Sequence, residues 1–264
     1  MKNTESSSAS GSTPASSTTP TAKVALVTGS SRGIGAAIAK RLAADGFSVV
    51  VNYAGRIADA ESVVREIQAA GGRAVAIKAD VSLPAEVTAL FDQSEAAFGS
   101  VDILVNNAGV MQPGLVPLVD TDDALFDRLF AINVKGTFNA LRIAGKRLNA
   151  GGRIVNFSSS VIGLALPGYS LYAATKAAVE TMTNIFAKEL RGRGISVNAV
   201  APGPTATELF LNGKTPEQIA HLAKLAPLER LGRPEDVAGL VSFLAGPDGA
   251  WINGQTLRVN GGVV

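Results

Sequence analysis

The feature that most constrains this chain is its alternation of short apolar runs with amphipathic stretches. From Lys23 onward, "KVALVTG", "FSVVVNY", "RAVAIKAD", "VDILVNN", "RIVNFSS", "ISVNAVAPG" and "GQTLRVNGG" each read as a short strand. Between them lie segments with helical spacing and helical punctuation. "GAAIAKRLAADG" sets Ile38 and Leu42 one turn apart and stops at Gly46, and "PAEVTALFDQSEAAFG" opens on a proline, which suits a first helical position. "DALFDRLFAINVKGTFNALRIAGKRL" is long enough for two helices joined near Asn133, and a further helix is predicted from about Ser170 to Arg193. Near-continuous apolar strands are covered on both faces, and strand–helix–strand units in one sheet are right-handed crossovers. The predicted fold class is α/β: a single doubly wound Rossmann-type domain over 23–264, with a parallel sheet of about seven strands and helices on both faces.

Residues 1–22, "MKNTESSSASGSTPASSTTPTA", hold no Val, Leu, Ile, Phe, Tyr or Trp. Such a segment buries too little apolar surface to offset its ordering entropy, so a disordered Ser/Thr-rich tail is expected there. It has no apolar core for a secretory signal; its Ser-rich composition keeps an organelle transit peptide as an alternative, although it lacks arginine, and the cytoplasm is the expected location. The 24 Lys and Arg nearly balance 22 Asp and Glu, for a net charge of +2. No basic block stands out, so neither a nucleic-acid nor a membrane partner is expected. The absence of cysteine excludes disulfides, thiolate metal sites and cysteine nucleophiles. One histidine, His221, is little to build a metal site or a Ser-His triad on, and no metal is expected.

Three segments carry chemistry. In "TGSSRGIG", glycines at 29, 33 and 35 join the first strand to the first helix. A chain without Cβ atoms lets a pyrophosphate approach closely, and the helix N-terminus turns free N–H groups toward it. A tight strand–helix turn with no ligand is the plain alternative. In "SLYAATKAAVE", Tyr172 and Lys176 lie one helical turn apart on one face. A phenol titrates near 10, and an adjacent ammonium favours the phenolate, so the pair suits proton transfer. A solvent-facing Tyr–Lys pair is the alternative. The strand "RIVNF" runs into Ser158, Ser159 and Ser160. Its carboxyl end lies at the crevice where open α/β sheets bind ligands, although a polar loop or a helix cap reads the same way.

Together these segments resemble the short-chain dehydrogenase/reductase family. Gly-x-x-x-Gly-x-Gly is similar to its cofactor turn, "NNAG" at 106–109 to its second motif, "YAATK" to its Tyr-x-x-x-Lys, and "PG" at 202–203 to a fourth. The motifs occur in family order over about residues 23–264. The resemblance implies a hydride passing between a nicotinamide and a carbonyl or secondary alcohol. Tyr172 would donate the proton, Ser159 would orient the oxygen, Lys176 would lower the Tyr172 pKa and hold the nicotinamide ribose, and Asn133 would support a water relay. Family spacing selects Ser159, while the following "SVIG" would align Ser160 instead.

The resemblance also implies the cofactor's neighbours. Gly29, Ser31, Arg32, Gly33, Ile34 and Gly35 form the turn. Asp80 and Val81 flank the adenine, Asn106 to Gly109 (including Ala108) line the ribose side, and Pro202, Gly203 and Thr207 approach the nicotinamide. The second strand ends in Asn52 and Tyr53 where an acidic residue would favour NAD, and Arg32 and Arg56 stand nearby. Arginine suits a 2′-phosphate, so NADP(H) is favoured over NAD(H).

A substrate lid is expected at about 205–231, with "PEQIAHLAKL" as a helix whose His221 faces solvent and whose Ile219, Leu222 and Leu225 either cover a hydrophobic substrate or, the favoured reading, pack on the body. Within the family the chain looks like 3-oxoacyl-carrier-protein reductases and related carbonyl reductases. Lys146, Arg147, Arg191 and Arg193 are candidate cations for an acyl-carrier docking face. A sugar or polyol dehydrogenase is the variant reading, and a non-catalytic NADP(H)-sensing protein or nucleotide-binding structural subunit the reading from another class. The family is commonly tetrameric, which implies a homo-oligomer.

Overall fold

The computed structural model describes Met1 and residues 22–264. The expected disordered tail, 1–22, falls outside the described residues apart from its two ends. In chain order the first half contains Val24–Val27 (β1), Gly33–Ala44 (α1), Ser48–Tyr53 (β2), Ile57–Ala69 (α2), Arg73–Lys78 (β3), Pro84–Phe98 (α3) and Ile103–Asn106 (β4). The second half contains Asp123–Leu129 (α4), Gly136–Arg147 (α5), Arg153–Phe157 (β5), Val161–Leu164 (α6), Ser170–Glu189 (α7), Ser196–Pro202 (β6), Glu208–Leu211 (α8), Pro216–Lys224 (α9), Pro234–Ala245 (α10) and Thr256–Val259 (β7).

The seven strands form one sheet in the order β3-β2-β1-β4-β5-β6-β7, with every pairing parallel. The chain winds outward from β1 to β3, then returns to lay β4 on the other side of β1. That reversal opens a crevice at the carboxyl ends of β1 and β4. Alternate side chains of a strand point to opposite faces, and β1 shows why its sequence is apolar throughout. Ala25 and Val27 join Ile38, Leu42, Val63, Ile67 and Val241 on the face covered by α1, α2 and α10. Val24 and Leu26 join Leu90, Phe91, Leu141, Leu148 and Ala187 on the face covered by α3, α5 and α7. Each such fully buried Leu or Ile contributes roughly 1.5–3 kcal/mol relative to exposure, which fixes the strand ends that carry the site.

Two boundaries differ from the sequence expectation. α7 ends at Glu189 rather than near Arg193, because the chain turns through Gly192 and Gly194 at φ +85° and +65°. The expected break near Asn133 is a π-helical turn, Phe130–Lys135, that joins α4 to α5 without interruption. Asparagine is a poor helix-interior residue, and π turns accommodate such a side chain by widening the coil.

Candidate active site

The crevice is a cleft of about 510 Å³. One end is the turn after β1. Gly29 has φ +60°, and a Cβ there would lie 2.8 Å from the Ala108 Cα. A Cβ on Gly35 would lie 2.5 Å from the Gly29 carbonyl oxygen. The turn is therefore closed to side chains, as a close-approach phosphate seat requires. Asn52 accepts the Gly29 N–H on Oδ1 at 3.0 Å, while its Nδ2 donates to the carbonyls of Ile77 and Ala79 at 3.3 and 3.1 Å. Asn107 Nδ2 donates to the Thr28 and Gly29 carbonyls at 2.9 Å each. The first turn of α1, Gly33 to Ala36, carries no side-chain charge; the Ala36 N–H is bonded to the Arg32 carbonyl at 3.2 Å, and the N–H groups before it are those a helix N-terminus leaves free for an anion.

Of the residues expected at the cofactor, Gly29, Ser31, Arg32, Gly33, Ile34, Gly35, Asn52, Tyr53, Asp80, Val81, Ala108, Gly109, Pro202, Gly203 and Thr207 line this cleft. Asn106 does not. It is buried, and its Nδ2 donates to Asn156 Oδ1 at 2.8 Å inside the sheet. Consecutive strand residues face opposite ways, so Asn107, one step further, is the cleft residue.

The other end of the cleft is formed by the carboxyl end of β5 and the first turns of α7. The three serines divide their work. Ser158 donates to Glu180 Oε1 at 2.6 Å, and Ser160 is buried, donating to the Ala201 carbonyl and accepting from Asn260 Nδ2 at 3.1 Å each. Ser159 is partly exposed to the cleft; its hydroxyl accepts the Val161 N–H at 3.2 Å, and of the three serines it is the one whose hydroxyl acts on the Tyr172 phenol. Lys176 is buried, and its Nζ donates to the Phe157 carbonyl at 2.9 Å and lies 5.6 Å from the Tyr172 ring centroid. Asn133 closes the rear wall. Its Oδ1 accepts the Val110 N–H at 2.8 Å, and its Nδ2 donates to the Val110 carbonyl at 2.9 Å and to Thr175 Oγ1 at 3.1 Å. A Cβ on Gly109 would meet Asn133 Oδ1 at 3.3 Å and Lys176 Nζ at 3.5 Å, so these groups converge.

The electrostatics differ from the simple expectation that Lys176 lowers the Tyr172 pKa. Burial dominates both groups. It pushes the Tyr172 phenol up to about 12, against the opposing Ser159 hydrogen bond, and pushes the Lys176 ammonium down to about 8. The charged form of each is disfavoured by desolvation. At neutral pH the phenol holds its proton, as a proton donor must.

Several cleft residues had no strong sequence signal. Met111, Arg128, Leu164, Leu166, Tyr169, Leu209 and Phe210 also line the cleft. α9 forms where expected, with a capping box between Thr215 and Gln218. Its apolar side does not pack into the body: every residue of α9 is at least partly exposed, and Leu222 lines the cleft. His221 is exposed. Glu208, at the start of α8, bridges the cleft's outer rim. Its carboxylate accepts from Arg32 Nη1 at 2.6 Å and from Arg56 Nη2 at 3.1 Å.

Comparison with known proteins agrees with this geometry. A family model described as enoyl-(acyl carrier protein) reductase matches residues 29–264. The NADPH-dependent aldehyde reductase-like protein, chloroplastic, of Arabidopsis thaliana is 48% identical over 254 residues, covering 92% of this chain and 94% of that protein. A dehydrogenase/reductase from Sinorhizobium meliloti superposes with a TM-score of 0.87 at 42% identity, covering 91% of this chain and 94% of its own. A blue fluorescent protein from a metagenomic library, in complex with NADPH, superposes at 0.86 with 41% identity, covering 92% and 98%. A glycine turn closed to side chains, a Ser–Tyr–Lys corner across the cleft and near-complete coverage by these relatives lead to one assignment: the chain belongs to the short-chain dehydrogenase/reductase family.

Proposed function

We propose that this NADP(H)-dependent oxidoreductase reduces the carbonyl of a small, largely apolar aldehyde or ketone to an alcohol. The observation that carries the reading is the convergence of Ser159, Tyr172 and Lys176 at one end of a cleft whose other end is the glycine turn flanked by Arg32 and Arg56. When bound, NADPH supplies the hydride for the carbonyl carbon. Tyr172 donates its phenolic proton to the carbonyl oxygen, which balances the addition and leaves a phenolate. Ser159 hydrogen-bonds the same oxygen and fixes its position. Lys176 stabilises the phenolate by charge, and Asn133, bonded to Val110 and Thr175 behind the cleft, supports the water relay that returns a proton from solvent to Tyr172. Arg32 and Arg56 hold the 2′-phosphate, for which paired guanidinium groups are suited.

The apolar walls at Met111, Leu164, Leu166 and Phe210 support an apolar substrate over a sugar or polyol. Residues 205–231, with Leu209, Phe210 and Leu222 facing the cleft, act as the lid. An acyl-carrier docking face is poorly supplied. Arg147 is engaged with Asp92 and Glu95, and Arg193 with the carbonyls of Gly145 and Leu148. Among the described residues, no helix is long and apolar enough to cross a membrane. We place the enzyme in the cytoplasm as a homotetramer; the family resemblance supports the assembly, as do the large exposed side chains of Trp251 and Phe243. Light scattering checks the assembly. The test of function is NADPH oxidation over a panel of aldehydes and ketones, with Tyr172→Phe as the control. Turnover by the wild type and its loss in the variant support the reading, and equal turnover by both rejects it.

A further inference from the structure

We infer that Glu208 is a built-in competitor for the cofactor's 2′-phosphate: its carboxylate fills the Arg32–Arg56 seat and must be displaced by NADP(H), but not by NAD(H). The inference rests on the reading of those two arginines as the phosphate's seat. The three side chains come from distant points in the chain, 176 and 152 residues apart, and meet across the cleft. Glu208 accepts from Arg32 at 2.6 Å and from both terminal nitrogens of Arg56 at 3.1 and 3.3 Å. One carboxylate thus chelates two guanidinium groups in the manner of a phosphate. Arg56 keeps a second partner, Asp59 at 3.5 Å, when Glu208 leaves.

A lone exposed ion pair contributes little, and this cluster is exposed. Its consequence lies in competition. A phosphomonoester near neutral pH carries about −1.5 to −2 charges, so it matches two guanidinium groups better than one carboxylate does. The ribose hydroxyl of NAD(H) brings no charge and leaves Glu208 in place. A seat free only about a tenth of the time weakens apparent binding about tenfold, and only for the ligand that needs the seat. Glu208 therefore reduces the affinity for NADP(H) selectively, by slowing its arrival.

The same residue links the two ends of the cleft. Glu208 begins α8, which is capped by the Thr207 hydroxyl, and the next two residues, Leu209 and Phe210, line the substrate space. Phosphate arrival at the rim frees the segment that walls the substrate. Release of the phosphate lets it close again.

The experiment is calorimetric binding of NADP+, NAD+ and adenosine 2′,5′-bisphosphate to the full chain, for wild type, Glu208→Gln, Glu208→Ala and Arg56→Met, at one ionic strength. Thermal melting of each variant without ligand verifies folding. The inference requires both Glu208 variants to bind NADP+ and the bisphosphate about three- to tenfold more tightly, with NAD+ unchanged. Stopped-flow association of NADP+ with both Glu208 variants quickens by the same factor. If Arg56→Met weakens NADP+ binding while the Glu208 variants leave it unchanged or weaker, the competitor role is overturned and the seat stands. If Arg56→Met leaves NADP+ binding unchanged, the seat itself is wrong and the inference falls with it.

Discussion

The two ends of the cleft are held by different physics. At the inner end, Asn133, Ser160 and Lys176 are buried, and their polar atoms are tied largely to backbone groups of neighbouring elements. At the outer rim, Arg32, Arg56 and Glu208 are exposed and tied to one another by side-chain ion pairs. Buried hydrogen bonds to backbone keep one geometry, because any departure strands an unsatisfied group in low dielectric. Exposed ion pairs are exchangeable, because water and salt replace them at little cost. The inner end is built to repeat one reaction, and the rim is built to take on and release a charged ligand.

The sharpest way to break this contrast is Tyr172→Phe. It removes one hydroxyl from the inner end, and kcat/KM is expected to fall by about 10²–10⁴-fold, the range of a positioned proton donor. NADP+ binding by calorimetry stays intact. A large loss of binding instead would mean that the two ends are not separable. Next come the serines. Ser159→Ala is expected to lower kcat by about 10²-fold, in the range found for a lost oxyanion donor. Ser160→Ala leaves kcat unchanged but costs about 1 kcal/mol in denaturant unfolding, because Ser160 bonds Ala201 and Asn260 rather than the cleft. The reverse pattern would exchange their assignments.

A smaller effect comes from pH. Burial holds the Lys176 ammonium at about 8, and Tyr172 keeps its proton up to about 12. Reduction uses the charged lysine, so its rate falls as pH rises through about 8. The stability effect of Lys176 has the opposite slope. An unfolded lysine titrates near 10.4, so between about 8 and 10.4 the unfolded chain binds more protons and folding gains with pH. Rate–pH profiles beside melting curves for wild type and Lys176→Met read both slopes. The rising stability component is expected to disappear in the variant. The smallest effect is His221→Ala. The residue is exposed on α9, away from the Ser159–Tyr172–Lys176 corner, and steady-state kinetics are expected to be unchanged.

Much of the fold was legible in the sequence because strands and helices announce themselves by local periodicity. β1 to β7 lie inside the runs that composition marks, and the glycine turn is a local requirement for backbone space. Tyr172 and Lys176 were legible for the same reason, since four-residue spacing on a helix is a local fact. Asn106 and Asn107 read alike in the sequence; in the fold Asn106 ends β4 and bonds Asn156 inside the sheet, whereas Asn107, past the strand end, bonds the Thr28 carbonyl at the cleft. The lid's apolar residues left two readings open in the sequence, because helical periodicity identifies a face but not what that face meets. In α9 it meets the cleft at Leu222 rather than a core.

By itself the sequence determined an alternating, parallel α/β chain with a glycine turn after its first strand and a Tyr–Lys pair on one helix face. These depend on spacings of a few residues, and covalent geometry converts such spacings directly into shared faces and turns. Only the tertiary structure decided which of three serines faces Tyr172, that burial rather than Lys176 governs the Tyr172 proton, and that Glu208 closes the seat of two arginines. These depend on which groups the sheet order brings within bonding distance and which it shields from water. Neither is encoded in the separation of 176 residues between Arg32 and Glu208.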